Sequence, residues 1–244
     1  MKVLLFLLAS LFSFDVYSFM NVETLRQSHK DGFFGSINLK LMGASGSTDK
    51  FVNSFATQNV FRSDKNEFLF FVNHLYGEVS NTKNTDKGSF HARYSRSVSK
   101  IWAIEFYTQV EFDKFRALRL RRILGTGVRL QALRSETASI YLGAGAFQEN
   151  EDLNLDPDEE TLRGNMYAAY VHNFINKTKL SATVYYQPSF SQSDFRIRFN
   201  TALGIPLTEK FKFTLEFTAG HDSAPPTDIV KTDTLYLTGL AYSY

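Results

Sequence analysis

Period-two alternation recurring from about residue 31, connections that are short and long by turns, and an aromatic content of 24 Phe and 12 Tyr against one Trp predict an all-β chain. The class they specify is a transmembrane antiparallel up-and-down β-barrel of about 12 strands. The stretch KIWAIEFYTQVEF, 100–112, shows the alternation best. Trp102, Ile104, Phe106, Val110 and Phe112 share one parity, and Glu105, Gln109 and Glu111 share the other. Side chains of a strand alternate faces, so one face is apolar and one charged.

The chain opens with MKVLLFLLASLFSFDVYS. Lys2, an apolar run from Val3 to Phe14 and a small residue at Ser18 have the layout of a secretory signal. Residues 1–18 are therefore assigned to a signal peptide, 19–30 to a periplasmic lead-in and 31–244 to the barrel. Mean hydropathy is −0.21, and no window supplies the roughly 20 apolar residues of a spanning helix. The formal charge is +2 and there is no Cys, hence no disulfide framework and no lipidation site.

Strands are expected near 33–43, 51–62, 67–78, 89–98, 100–112, 117–132, 138–148, 165–175, 179–190, 194–206, 211–220 and 233–244. The second and third alternate poorly, which leaves their phase open. GASGSTDK, SNTKNTDKG, NEDLNLDPDEETLR and HDSAPPTDIVKT are long connections, whereas RSDKN, SK, RSET, NK and LTEK are short. DKFRA and the SQS region break the pattern. Short turns on one rim and longer loops on the other suit a membrane barrel with its turns in the periplasm.

Alternation alone also suits a soluble barrel with an apolar interior. Twelve strands, however, enclose a lumen wider than the eight-strand case that side chains just fill, and these strands lack the apolar filling. Aromatics near strand ends, such as Phe33, Phe51, Phe90, Phe190 and Phe211, suit the two lipid boundaries. The ending GLAYSY places Gly239, Tyr242 and Tyr244 in an arrangement similar to the terminal signal read by the barrel assembly machinery. Leu237, two before the glycine, and the final Tyr244 depart from that pattern. Lipid is then expected against Trp102, Ile104 and Phe106, with Glu105, Gln109 and Glu111 in the lumen.

DGFFGS with ASGSTD, then FHARY, EFYTQVEFDKFRALRLRRILGTGVR and YLGAGAFQEN together resemble a domain-of-unknown-function family, the salt-induced outer-membrane proteins (YdiY-like). The resemblance covers about 31–244, and Ser47 stands where Asn is expected after the glycine. It implies an outer-membrane barrel and a link to salt stress, and it brings no catalytic residues.

Parity assigns Lys40, Arg93, Arg119, Arg121, Arg129, Arg196, Arg198 and Lys212 to the lumen with Glu105, Glu111 and Glu216, a positive interior. Two readings stay open: a narrow pore that favours anions, and charges that pair to fill the barrel or an envelope-stress structural barrel. Across DKFRA, the register places Glu111 opposite Arg119 or, slipped by two, opposite Arg121. Gly125, Gly127, Gly143 and Gly145 share lumenal parity and are expected to make room for long arginines. Arg122 has lipid parity, which requires a bulge or a side chain that snorkels to a lipid phosphate. The acids between Glu151 and Glu160 are expected in a solvated loop, with divalent-ion binding as the sharper alternative.

GHDS offers the enzymatic alternative, an outer-membrane ester hydrolase acting on phospholipid or lipid A with His221 and Ser223. No orienting third group is evident, so no catalytic residues, metal or cofactor are assigned. The expected partners are outer-membrane lipid and the assembly machinery, without nucleic acid, for a monomer.

Overall fold

The computed structural model describes residue 26 and residues 31–44, 49–154, 157–227 and 229–244. The expected signal peptide, 1–18, and, apart from Arg26, the expected lead-in, 19–30, lie outside the described residues. Twelve strands follow one another: β1 Gly32–Ala44, β2 Lys50–Ser63, β3 Asn66–Val79, β4 Thr82–Ser97, β5 Trp102–Asp113, β6 Leu118–Arg134, β7 Ala138–Leu153, β8 Glu159–Asn173, β9 Lys179–Pro188, β10 Phe195–Pro206, β11 Phe211–Asp222 and β12 Thr232–Ser243. Each pairs antiparallel with its sequence neighbours, and β12 returns to β1 to close the barrel.

The closing ladder is short, running from Ser36↔Ser243 to Leu39↔Leu240. Two backbone bonds of 3.1 Å between Gly35 and Tyr244 prolong it. At this seam glycine is a packing requirement. A Cβ at Gly239 would lie 2.4 Å from Lys40 Cγ and 2.6 Å from the Leu39 carbonyl.

Outward positions form an apolar belt. Trp102, Phe106 and Val110 are 43%, 53% and 37% exposed, as are Leu124 at 70% and Leu142 at 43%. On β5 the alternate residues Glu105, Gln109 and Glu111 are buried. The second and third strands alternate poorly in sequence because their inward face is also apolar: Val60, Leu69 and Phe71 form a small internal core with Ala56. Aromatic pairs gather at the short-turn rim, where Tyr242 stacks near Phe211 with ring centroids 5.2 Å apart and Tyr244 lies 6.1 Å from Phe33.

Two connections are shorter than their composition suggests. SNTKNTDKG is mostly strand, with its turn reduced to Ser80 and Asn81 at φ of 49° and 61°, the left-handed pair that a tight hairpin needs. The acidic connection likewise continues as β7 to Leu153 and resumes as β8 at Glu159. Polar strand extensions beyond the belt therefore take much of what composition assigns to loops.

Closure predicts that the folded protein, extracted in detergent and left unheated, migrates on a gel apart from the heated chain. Gly239→Val should shift a large share of the protein to the heated position, because overpacking of about 1–3 kcal/mol falls on the shortest ladder. Equal folded fractions for Gly239→Val and the parent would contradict the seam geometry.

Candidate functional site

The lumen is the candidate site, and its charges meet because alternation sends every second residue inward. Near the long-loop end, Arg196 of β10 reaches Glu149 at 2.7 Å, Glu151 at 3.2 Å and Asp222 at 2.8 Å. Arg121 of β6 bonds Glu111 and Glu151 and lies 3.3 Å from Glu149. Arg163 of β8 completes this group, with Glu149 at 2.8 Å and Asp194 at 2.6 Å. The ring of contacts spans β5 to β11, so the network ties one wall of the barrel to another.

A second group sits toward the short-turn end. Glu105 receives Arg93 at 3.4 Å, Arg26 at 2.9 Å and the Tyr167 hydroxyl at 2.9 Å. Arg26, from the lead-in, also donates to Glu67 at 2.6 Å and to Ser95 Oγ at 2.9 Å, while Arg62 donates to its carbonyl at 2.9 Å. Arg129 donates to Tyr167 and holds its guanidinium 3.9 Å from the Tyr141 ring centre. On the opposite wall Lys40 meets Glu216 at 2.5 Å, and Lys212 lies 3.4 Å from Ser243 Oγ. Arg198 is buried in register between Tyr185 and Gly220.

Two expectations are corrected here, the lumenal place of Arg119 and the positive interior. Arg119 is outside: its side chain is 66% exposed and pairs with Asp152 at 2.5 Å. The register slips between Leu118 and Leu120, and this bulge reverses parity for one residue. Glu111 accordingly faces Arg121, while Arg122 stays on the outer face, exposed, opposite Val110. The excess of positive charge disappears as well. Among the described residues, buried carboxylates equal buried lysines and arginines in number, because Glu67, Asp86, Asp113, Glu149, Glu151, Asp194, Asp222 and Asp233 join the expected Glu105 and Glu111. The signal that could have found Glu149 and Glu151 is parity: FQENEDL continues the inward phase of Gly143 and Gly145 through Phe147.

The lumenal glycines make room for tyrosines more than for arginines. A Cβ at Gly125 or Gly143 would overlap the ring of Tyr107 or Tyr167, at 2.3 Å and 2.0 Å. Gly127 and Gly145 instead bring neighbouring backbones close, with Cβ contacts of 2.8 Å and 2.1 Å to carbonyl oxygens. His221 and Ser223 do not form a dyad. His221 Nδ1 bonds Thr232 Oγ1 at 2.8 Å, and Ser223 Oγ accepts the Phe195 N–H at 2.8 Å.

Each end of the lumen opens into a polar cavity. One of about 290 Å³ is lined by Arg26, Arg62, Glu67 and Arg129, and one of about 320 Å³ by Glu151, Glu159, Arg163 and Arg196.

The sequence profile of the family described as "Protein of unknown function, DUF481" matches residues 37–244. No curated protein matches the chain. Among solved structures, the chain is similar to the NanC porin, with a TM-score of 0.52 and 5% identity over 86% of this chain and 98% of that one. It is also similar to the KdgM porin in complex with disordered oligogalacturonate, at a TM-score of 0.50 and 13% identity over 86% and 99%. At these identities the likeness establishes the fold, that of porin barrels.

The register yields a prediction about coupling. In a double-mutant cycle of unfolding free energy, Glu111→Ala with Arg121→Ala should show a coupling of about 1–3 kcal/mol, since each single change strands a buried charge. Glu111→Ala with Arg119→Ala should be additive. Coupling to Arg119 in place of Arg121 would contradict the bulge.

Proposed function

The chain belongs to the family described as DUF481, and from its geometry we propose that it is a monomeric barrel of the bacterial outer membrane acting as a narrow channel for small solutes. The apolar belt and the closed ladder support the membrane setting, since lipid offers no partner to an unpaired backbone group. The terminal Gly239, Tyr242 and Tyr244 would serve the assembly machinery. With short turns periplasmic, the Arg26 end faces the periplasm.

The observation that carries the channel reading is the lumen itself: largely polar, open at both mouths, and constricted between them by ion pairs, with the apolar cluster of Ala56, Val60, Leu69 and Phe71 confined to β2 and β3. Arg26 is the constricting residue contributed from outside the barrel strands. Its Nε contact to Glu67 and its Nη2 contacts to Ser95 and Glu105 hold it in the periplasmic mouth, where its withdrawal would widen the path.

A second reading, a structural barrel of the stressed envelope, is favoured by the density of cross-links around Arg196. The two differ in current. The purified full-length protein in a planar bilayer should give discrete steps, smaller than those of sixteen-stranded porins whose lumen is an open aqueous channel. Arg26→Ala should raise the step size or the open fraction by about two-fold or more. Verified folded barrels that pass no ions, with or without Arg26, would decide for the structural reading.

A further inference from the structure

Side chains fill the barrel unevenly. On β3, β4 and β5 the inward positions are buried almost without exception, as at Glu67, Phe71, Arg93 and Glu111. On β10, β11 and β12 the inward positions Ala202, Gly204, Thr218, Gly220, Leu235 and Leu237 all keep partial exposure. Register gathers them into one patch: Ala202 pairs with Glu216 and that with Leu237, while Asn200 pairs with Thr218 and that with Leu235. A Cβ at Gly220 would meet nothing within 4 Å, and one at Gly204 only the Lys179 carbonyl at 4.0 Å. An inward residue that stays exposed is one that water reaches inside the barrel.

Independent support comes from orphaned oxygens on the same wall. Thr183 Oγ1, Asn200 Oδ1 and Thr214 Oγ1 have no hydrogen-bond partner among the described residues, though their residues are only 2%, 3% and 9% exposed. Thr183 is the register neighbour of Asn200, and Thr214 lies between Gly204 and Gly239. A buried oxygen left unsatisfied costs about 1–3 kcal/mol, so such groups mark places where water or a solute completes the bonding. Other orphaned atoms occur in the lumen; these three border the open wall.

Toward the short-turn end of this wall, beyond Glu216, the inward charge is positive. Lys179 opens β9 and Lys212 lies near the start of β11, both inward and partly buried. Among the described residues no carboxylate pairs with either, in contrast to Lys40, which Glu216 neutralises. We propose that a water-filled path runs off-centre along β10, β11 and β12, and that Lys179 and Lys212 make its periplasmic end a site for small anions. The path deepens the channel reading, and its transport role rests on that reading.

The chain has no Cys, so single cysteines report cleanly. In the folded full-length protein, Thr218→Cys should react with a charged, water-soluble methanethiosulfonate at least about ten-fold faster than Ser89→Cys, whose position is buried and bonded to Asn73. Equal rates would overturn the path. At Thr214→Cys, the ratio of rates for sulfonate-bearing to ammonium-bearing reagent should fall about ten-fold when Lys179→Gln and Lys212→Gln are added; an unchanged ratio would overturn the anion site. In the bilayer, Gly220→Trp should cut the current at least about five-fold. Unchanged current would refute this route and leave the channel standing. Rapid labelling of Thr218→Cys in a protein that passes no current would do the reverse, supporting the hydrated path and refuting the channel.

Discussion

A strand that crosses hydrocarbon has no solvent for its N–H and C=O groups, so every one must be paired within the sheet. For this chain that requirement falls on the seam between β1 and β12, the shortest ladder of the barrel. Once the seam closes, each strand has only two environments, and period-two alternation distributes residues between them. Apolar side chains such as Phe106 and Leu124 then meet lipid, and Glu105 and Arg121 have nowhere to go but inward.

Charges sent inward must be compensated there. Removing an ion from water costs several kcal/mol, recovered only when geometry and further hydrogen bonds are good. The arrangement around Arg196 meets that condition by sharing: one guanidinium serves Glu149, Glu151 and Asp222, and two of those carboxylates also serve Arg121. Loss of any member therefore exposes several partners at once. The same economy of placement explains Tyr107 and Tyr167, whose rings occupy the space left by Gly125 and Gly143 while their hydroxyls are bonded to Asn165 and Glu105.

Strand number, the two faces of β5 and most lumenal residues were legible in the sequence because one rule, alternation, governs them all. Where that rule is interrupted, the reading failed. Arg119 shares the parity of Arg121 but is turned outward by a one-residue bulge that composition does not announce. Polar strand extensions look like loops, since beyond the lipid belt both faces carry polar residues; this hid Glu149 and Glu151 and with them the balance of lumenal charge. Arg26 was invisible for a different reason: no periodicity ties an isolated residue of the lead-in to Glu67 and Glu105, which are distant in sequence.

Whether a barrel conducts depends on how side-chain volume is distributed around a cross-section that strand number has already set. Here most of the long side chains are concentrated on one arc. Arg93, Tyr107, Arg121, Tyr167 and Tyr185 project from β4 to β9, and ionic and aromatic contacts hold them together. Across from them, apart from the buried Arg196 and Arg198 of β10, β10, β11 and β12 present Ala202, Gly204, Thr218 and Gly220, too short to reach that cluster. A neutral, cross-linked interior and an open path are therefore compatible. The network fills most of the section and fixes the cluster in place, and the small residues opposite leave the remainder to water.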